Sequence, residues 1–300
     1  MLNTIIGNNE LKANLISAMT GSRLAHSIML CGEVGVGVGY AAKCLAADFL
    51  YPNDMAKSLL VMQKKSPELL IIEGEGASGD IKIEAVRAMR EEIFSTSLSC
   101  ERRCVILRQV QHLNASSANA LLKVLEEPPD NVLFILTSQS AAAVLPTIRS
   151  RCCSYTLAPV SVQECSSFIT NNYKNIQDAK RLSQIYGGRI GCCVAVITDE
   201  NARASLDKAL ELCDYCEQDN EYAISALLSA YEKNKAFAQK LIENARAIMS
   251  AALRGTENTG ISQRKAALAL PVLYEADKLF RRNVSDKLIF TNLAIQLTKS

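Results

Sequence analysis

The sequence predicts an α/β domain with a parallel sheet, followed by a region built from helices alone. Two apolar runs, Cys104–Leu107 and Val132–Ser138, are separated by one helix, which is the pattern of a βαβ unit. Because the strands of such a unit run in the same direction, we expect the sheet to be parallel. After residue 200, apolar residues recur at three- and four-residue spacing, as in amphipathic helices.

The composition indicates a globular chain that is neither strongly acidic nor strongly basic. Its 300 residues allow two or three domains, because a single core rarely exceeds roughly 250 residues. Hydrophobic residues make up 49% of the chain and charged residues 21%, which is enough apolar material for a large core. A dedicated DNA-binding protein is usually far more basic than the net charge of +2 found here. Any DNA contact is therefore expected to be local or shared with other subunits.

The 11 cysteines form no disulfide framework, since their number is odd and their spacing irregular. Cys213 and Cys216 form a Cys-x-x-Cys pair, but it lies in an acidic helical segment with no second pair nearby, so no metal site is expected. The sequence shows no signal-peptide pattern and no apolar run near the roughly 18 residues of a membrane span. We therefore expect a reduced, cytoplasmic protein without membrane contact, whose cysteines are small core residues.

In residues 1–158 the predicted elements alternate between helices and strands. His26–Cys31 is an apolar strand, and we expect its histidine to be structural because no carboxylate or serine pattern accompanies it. No element is predicted in the short, mixed segment 51–66. The other elements, in chain order, are a helix in Leu2–Ala18, a helix at Tyr40–Leu50, a strand at Glu68–Ile72, a helix at Ile81–Phe94 and a helix ended by Pro128 and Pro129.

In residues 159–300 only helices are predicted, on the same periodicity. They are Ser161–Tyr173, Asp178–Tyr186, Cys192–Ile197, Ala202–Cys216, Glu221–Lys233, Ala236–Leu253, Ser262–Arg282 and Ser285–Leu297.

A glycine-rich turn joins the first strand to the next helix, with Gly32, Gly35, Gly37 and Gly39 in eight residues. A strand, a glycine turn and a helix N-terminus together form a cradle for phosphate groups. The P-loop of nucleotide-binding proteins has the pattern G-x-x-x-x-G-K-[ST]. Its lysine reaches the phosphates, and the hydroxyl of its serine or threonine holds Mg²⁺. Aligning Gly32 and Gly37 with its glycines places Val38 at the lysine position and Gly39 at the hydroxyl position. The loop is thus degenerate, and we expect no nucleotide cofactor.

A second interpretation of the same turn stays open. Gly37, Gly39 and Ala42 fit G-x-G-x-x-A, the dinucleotide-binding turn, which would indicate a dinucleotide-dependent oxidoreductase. That site also needs a carboxylate about 20 residues later, at the end of a second strand. Residues 54–64 offer only Asp54, on a loop after Pro52.

Two motifs carry a family resemblance. The run Asn119-Ala-Leu-Leu-Lys-Val-Leu-Glu-Glu-Pro-Pro129 and the triplet Ser150-Arg151-Cys152 resemble the AAA+ clamp-loader subunits of bacterial DNA polymerase III, above all the delta-prime type. The resemblance rests on specific motifs over roughly residues 5 to 200, and on helical pattern beyond them. It implies an AAA+ α/β domain with a degenerate P-loop at 1–158, a helical lid at 159–200 and a helical collar at 201–300.

The resemblance also implies that the nucleotide site has lost further residues. Arg108 and Gln109 take the positions of the Asp-Glu pair that holds Mg²⁺ in active AAA+ proteins, and a cation there repels the metal. Thr137 and Ser138 take the place of a polar sensor residue, where we expect a strand-end cap. Arg189 lies close to the position that a sensor arginine takes in the family's ATPases, and we expect it to be structural. The four-cysteine zinc module of the family's ATPase subunits is absent, since no cysteine lies between Cys44 and Cys100.

Arg151 is the arginine that the resemblance places in a working role. In this family the Ser-Arg-Cys arginine points at the γ-phosphate held by a neighbouring subunit, so Arg151, with Ser150 and Cys152 of its motif, is expected to act in trans. Arg149 is the weaker candidate because it lies outside the triplet. Arg87 and Arg90 are candidates for DNA contacts on a charged helix face.

The expected function follows from a nucleotide site that has lost its functional residues together with an arginine, Arg151, that can act on a neighbouring subunit. We expect a non-hydrolysing clamp-loader subunit without intrinsic ATPase activity, assembled with gamma/tau-like ATPase subunits and a delta-like subunit. Its other expected partners are the sliding clamp and, through the complex, primer-template DNA. The alternatives are the oxidoreductase above and a gamma/tau-like ATPase with an unusual P-loop. An ATPase subunit with the ordinary P-loop would need a lysine at position 38 and a threonine at position 39, where this chain has Val38 and Gly39.

Overall fold

A five-stranded sheet forms the centre of the first of two units, Met1–Val160, in the computed structural model of the protein. The structure describes residues 1–21, 23–75, 79–96, 102–173, 178–281 and 284–298. All strand pairs are parallel, in the order β2-β3-β4-β1-β5. The carboxyl ends of all five strands therefore lie along one edge of the sheet. The strands are β1 (Ser27–Cys31), β2 (Leu69–Ile72), β3 (Arg103–Leu107), β4 (Val132–Ser138) and β5 (Cys153–Thr156).

Helices cover both faces of this sheet. Ile28 and Leu30 of β1 belong to one buried cluster, whereas Met29 and Cys31 belong to another on the opposite face, as the two-residue period of a strand requires. Burial on both faces explains why these strands are continuously apolar in sequence. The helices of this unit are α1 (Asn9–Thr20), α2 (Val38–Leu50), α3 (Met55–Met62), α4 (Ile83–Thr96), α5 (Ala115–Glu126) and α6 (Pro146–Arg149).

The parallel sheet and its first four strands are confirmed, but several elements of this unit differ from expectation. One of them is α6, a four-residue helix in a segment where a polar loop was expected. The first helix begins at Asn9 rather than at Leu2, because Gly7 and Asn8 adopt left-handed backbone conformations that interrupt it. The segment after Pro52 contains α3, whose start is capped by the Asp54 side chain, which accepts a hydrogen bond from the Lys57 N–H. β5 was not predicted, because its sequence is short, polar and largely exposed.

The second unit, Ser161–Ser300, consists of helices throughout its described residues. The predicted helices are confirmed within about four residues at each end, and Arg282, the expected last residue of one of them, lies outside the described residues. Ser161 and Glu164 form a capping box at the first helix of this unit. The helices are α7 (Val162–Asn172), α8 (Ala179–Ile185), α9 (Ile190–Thr198), α10 (Glu200–Glu217), α11 (Glu221–Ser229), α12 (Lys235–Leu253), α13 (Gln263–Arg281) and α14 (Asp286–Thr298).

A buried polar network joins three parts of the second unit. The Tyr186 hydroxyl, just after α8, donates to Asn244 Oδ1 of α12 at 2.9 Å. Asn244 Nδ2 in turn donates to Ser205 Oγ of α10 at 2.8 Å. These contacts join residues before position 200 to residues after it. They do not separate a lid at 159–200 from a collar at 201–300, and that division stays a prediction.

The cysteines of the described residues are all unpaired, and most of them are buried. Burial raises the pKa of the Cys213 thiol well above its usual value and that of Cys216 to about 12, so both stay protonated near neutral pH. Among the described residues, no group of three or more His, Cys, Asp and Glu side chains is arranged to hold a metal ion. In the same part of the chain, no helix combines the length and the apolar character needed to cross a membrane.

Candidate functional site

The glycine-rich turn has the backbone shape that its sequence predicts. It connects the carboxyl end of β1 to the start of α2, and Gly35 (φ +91°) and Gly37 (φ +98°) adopt left-handed conformations that favour glycine. Gly32 is needed for a different reason. A Cβ atom there would lie 2.7 Å from Val36 Cγ2 and 2.8 Å from the Leu157 carbonyl oxygen. The turn therefore depends on glycine at three positions.

The side chains that would act on a nucleotide are missing from this turn. Val38 packs against the buried cluster on the α1–α2 face of the sheet, and its Cγ2 approaches Gly32. Gly39 faces open space, where an added Cβ would meet no atom within 4 Å. Neither residue supplies the ammonium or hydroxyl group that the P-loop pattern requires. The geometry of the cradle is present without its charge or its metal ligand.

The end of β3 lacks the second set of metal ligands. Arg108 directly follows β3, and its Nη1 lies 2.5 Å from the Glu73 carboxylate. Gln109 has a left-handed backbone, and its N–H donates to Thr137 Oγ1 at 3.1 Å, so Thr137 has the capping role predicted for it. Ser138 donates to the Ser140 carbonyl oxygen at 2.9 Å. A magnesium nucleotide does not fit these residues, because a guanidinium lies where an anionic ligand would be needed.

The strand order contradicts the dinucleotide-binding interpretation. In that fold the second strand lies next to the first, whereas here β1 lies between β4 and β5. Asp54 also does not close a strand, because it caps α3. Gly37, Gly39 and Ala42 match that pattern only locally, so the oxidoreductase alternative is wrong.

Arg151 lies beside the other motif of the resemblance. Its Nη2 is 2.5 Å from Glu126 Oε1 at the end of α5, and its Nη1 donates to the Thr147 carbonyl oxygen at 2.9 Å. The side chains of Arg151 and Glu126 are 36% and 48% exposed, so the pair faces solvent. We did not predict Glu126 as a partner. The sequence feature that could have indicated it is the position of Glu126 in the motif Asn119–Pro129, at the C-terminus of the helix that Pro128 and Pro129 end.

Arg151 and the glycine-rich turn lie at opposite edges of the sheet. Cys153 of β5 pairs with Ile28, near the start of β1, and Arg151 precedes β5 by two residues. Gly32 instead follows the last residue of β1. At about 3.3 Å per residue, the Cys153–Ile28 pair lies roughly 13 Å from Gly32 along the strand direction, and Arg151 lies before that pair in the turn that precedes β5. Arg151 is therefore not brought to the glycine-rich turn of its own chain.

The residues next to Arg151 have local roles in the structure. Ser150 donates to the Thr147 carbonyl oxygen at 3.0 Å, and Arg149, the last residue of α6, is exposed. Burial raises the pKa of the Cys152 thiol to about 11, and the nearby thiols of Cys153 and Cys31 add to the rise. Cys152 is consequently a protonated, partly buried thiol.

Arg87 and Arg90 lie on the exposed side of α4, whereas Val86 and Met89 are buried on its other side. The Arg90 guanidinium lies 5.9 Å from the centre of the Phe94 ring. In the second unit, Arg189 Nε donates to the Tyr186 carbonyl oxygen at 2.9 Å. That contact agrees with the structural role expected for Arg189.

A protein-family model and several curated relatives match this chain. The model described as DNA polymerase III, delta subunit, matches residues 7–161, just over half of the chain. The DNA polymerase III subunit delta' of Pseudomonas aeruginosa is 32% identical over 136 residues, which are 43% of this chain and 42% of that protein. The subunit delta' of Bacillus subtilis is 28% identical over 163 residues, 51% of this chain and 49% of that protein. The subunit gamma of Buchnera aphidicola is 29% identical over 171 residues, 55% of this chain and 47% of that protein.

This chain thus aligns with slightly less than half the length of each of these relatives. Among solved structures, a DNA polymerase III gamma subunit-related protein from Thermotoga maritima is similar over 95% of this chain and 98% of that chain. The TM-score is 0.55 at 17% sequence identity, so the similarity concerns the fold alone.

Proposed function

The chain belongs to the family described as DNA polymerase III, delta subunit, and we propose that it is a non-hydrolysing clamp-loader subunit of the delta-prime type. In this role it helps to load the sliding clamp onto primed DNA. Its fold, an α/β AAA+ domain followed by a helical region, suits such a subunit. The motif resemblance and the curated relatives named subunit delta' support the choice within the family.

The substitutions around the glycine-rich turn support the absence of intrinsic ATPase activity. Val38 and Gly39 lack the groups that bind phosphate and magnesium, and Arg108 brings a positive charge to the metal position. These changes lie on two separate elements, so one substitution would not restore the site. The missing phosphate- and magnesium-binding groups are the reason that we favour a non-hydrolysing subunit over the gamma/tau-like ATPase alternative.

The position of Arg151 carries the proposal that it acts in trans. Its guanidinium is exposed at the sheet edge opposite its own glycine-rich turn, so its natural target is a phosphate held by an adjacent subunit. A guanidinium stays charged and offers several donors in a fixed plane, which suits the charge that develops during phosphoryl transfer. In this role Ser150 and the partly buried Cys152 hold the turn that presents Arg151.

The remaining parts of the proposal concern assembly. We assign residues 1–158 to the AAA+ domain, 159–200 to a helical lid and 201–300 to the collar that joins the subunits. The partners are gamma/tau-like ATPase subunits, a delta-like subunit and the sliding clamp. Arg87 and Arg90 contact the backbone of primer-template DNA, and the modest charge of +2 agrees with a contact shared among subunits.

The decisive experiment is Arg151→Ala in a reconstituted clamp-loader complex. Turnover at the neighbouring ATP site is expected to fall on the order of 10³-fold, the scale of a lost arginine finger. Steady-state ATP hydrolysis with DNA and clamp measures the effect, and gel filtration reports assembly. The matched control is Arg149→Ala, two residues away and also exposed, which is expected to retain turnover.

The free energy of unfolding of the Arg151→Ala subunit shows whether a loss of ATP turnover results from the missing guanidinium or from unfolding. Because the Arg151–Glu126 pair is exposed, its loss is expected to lower the free energy of unfolding by less than about 1 kcal/mol. Full ATP turnover in an assembled Arg151→Ala complex would exclude the role in trans.

A further inference from the structure

A cavity of about 240 Å³ opens beside the start of α2, at the carboxyl edge of the sheet. Three cations line it from three different elements: Lys43 from α2, Lys64 from the end of α3, and Arg108 from the end of β3. Ile71 of β2 and Ile106 of β3 form its apolar wall. The cavity is several times larger than the roughly 30 Å³ occupied by one water molecule, so it has room for a polyatomic ion.

The charges around the cavity are unbalanced. Glu73 offsets part of the positive charge, since its carboxylate lies 2.5 Å from Arg108 and 3.9 Å from Lys64. The third cation, Lys43, donates to the Met62 carbonyl oxygen at 3.2 Å. A carbonyl oxygen carries no formal charge, so this contact does not neutralise the Lys43 ammonium. Burial lowers the pKa of the Lys43 ammonium, and the nearby charges of Lys64 and Arg108 lower it further. An anion in the cavity would relieve this repulsion.

Lys64 occupies a position that ordinarily suits glycine. It follows the C-terminus of α3 with a left-handed backbone (φ +61°), and its N–H donates to the Val61 carbonyl oxygen at 3.0 Å. Helices often end in this conformation with glycine, because a Cβ atom is sterically unfavourable there. The chain thus places a lysine at the rim of the cavity despite an unfavourable backbone conformation.

The N-terminus of α2 adds a further positive feature to the same cavity. The helix begins at Val38, and neither a side-chain cap nor an acidic residue of its first turn neutralises its N-terminal end. Gly39, in that first turn, borders the cavity without a side chain to block it. Exposed N–H groups at the start of a helix favour anions.

We propose that this cavity is a metal-independent binding site for a phosphate group, held by Lys43, Lys64 and Arg108. The site needs no magnesium, because its three cationic side chains themselves supply the positive charge that a phosphate group requires. A free ion such as pyrophosphate and a nucleic-acid backbone present the same chemistry. The proposal does not depend on the role of Arg151 or on assembly with other subunits.

The test measures pyrophosphate binding to the full chain without magnesium, by thermal unfolding and by isothermal titration calorimetry. Sodium chloride at matched ionic strength controls for screening. Pyrophosphate is expected to raise the unfolding temperature of the wild-type chain. Lys43→Met and Lys64→Gly are each expected to weaken binding at least tenfold. Lys65→Ala is the matched control, because it removes an exposed lysine next to Lys64 that does not line the cavity.

Lys64→Gly keeps the test informative if Lys43→Met folds poorly. Glycine suits the left-handed backbone at position 64, so this variant is expected to be at least as stable as the wild type without ligand. The same effect of pyrophosphate and chloride, or equal losses in Lys65→Ala and Lys64→Gly, would overturn the proposal. Binding that requires Mg²⁺ would overturn it as well.

A competition experiment identifies the source of the phosphate. A short single-stranded oligonucleotide that displaces pyrophosphate from the wild-type chain, but binds Lys64→Gly weakly, assigns the site to a nucleic-acid backbone. Pyrophosphate binding that the oligonucleotide leaves unchanged assigns the site to a small phosphate ligand.

Discussion

At the scale of single residues, the glycine-rich turn separates backbone shape from chemical function. Gly35 and Gly37 provide the left-handed conformations of a phosphate cradle, and Gly32 allows the close approach of the Leu157 carbonyl oxygen. Val38 contributes to the core instead of the phosphate site. The turn thus remains as a structural connection between β1 and α2, although the groups that act on a nucleotide are missing.

The stability of the first unit tests this structural role through Gly32→Ala. We expect a loss of about 1–3 kcal/mol in the free energy of unfolding, because the new Cβ would lie 2.7 Å from Val36 Cγ2 and 2.8 Å from the Leu157 oxygen. Urea denaturation followed by circular dichroism measures the loss. Gly39→Ala is the control, since its Cβ enters open space in a helix and is expected to add up to about 1 kcal/mol. Similar changes in the two variants would show that the close approach at Gly32 is unimportant.

At the scale of elements, α4 divides its residues between packing and surface charge. Val86, Met89 and Ile93 are buried on one face, whereas Arg87 and Arg90 are exposed. The helical period alone predicts this division, because residues three or four apart share a face. The exposed arginines are the residues of this helix that we propose to contact the DNA backbone in the assembled complex.

Salt dependence is the measurement that tests these arginines. Replacing Arg87 and Arg90 by alanine in the assembled complex is expected to weaken DNA binding and to reduce the slope of log K against log salt by about 2. Each lost phosphate contact accounts for roughly 0.9 of that slope for duplex DNA. Lys82→Ala is the control, because its ammonium already pairs with Glu75 at 2.9 Å. An unchanged slope in the double variant would place the DNA contacts elsewhere.

At the scale of the whole molecule, the chain combines an α/β unit with a unit made of helices. In the first unit, parallel strands put the glycine-rich turn and Arg108 at one edge of the sheet and Arg151 at the other. In the second unit, helices pack around a core that includes the polar network of Tyr186, Asn244 and Ser205. Buried polar groups of this kind stabilise a fold only while every member has a partner.

Asn244→Leu tests how far this network supports the second unit. Leucine leaves the buried Tyr186 hydroxyl without its acceptor, so the free energy of unfolding is expected to fall by about 1–3 kcal/mol. Hydrogen exchange of α8, α10 and α12 measures the loss, and all three helices are expected to lose protection together. Combining Asn244→Leu with Tyr186→Phe removes both polar partners and should recover part of the stability. A loss confined to α12 would mean that the network does not couple these helices.

Much of the fold could be predicted because it depends on local pattern. Apolar runs, helical periodicity and the prolines after α5 predicted four strands and the helices of the second unit. The loss of nucleotide-binding groups at Val38 and Gly39 was visible for the same reason, since the spacing of glycines defines those positions. Arg151 could be singled out because its motif is contiguous in sequence.

By itself, the sequence thus determined the parallel α/β domain, the helical remainder and the chemistry missing from the glycine-rich turn. Only the tertiary structure decided which distant residues meet. β5 is polar and becomes a strand through its hydrogen bonds to β1, and Arg151 pairs with Glu126 from a different helix. The basic cavity likewise needs Lys43, Lys64 and Arg108 from three elements. Such contacts depend on strand order and packing, which join residues far apart in the chain and leave no local pattern in the sequence.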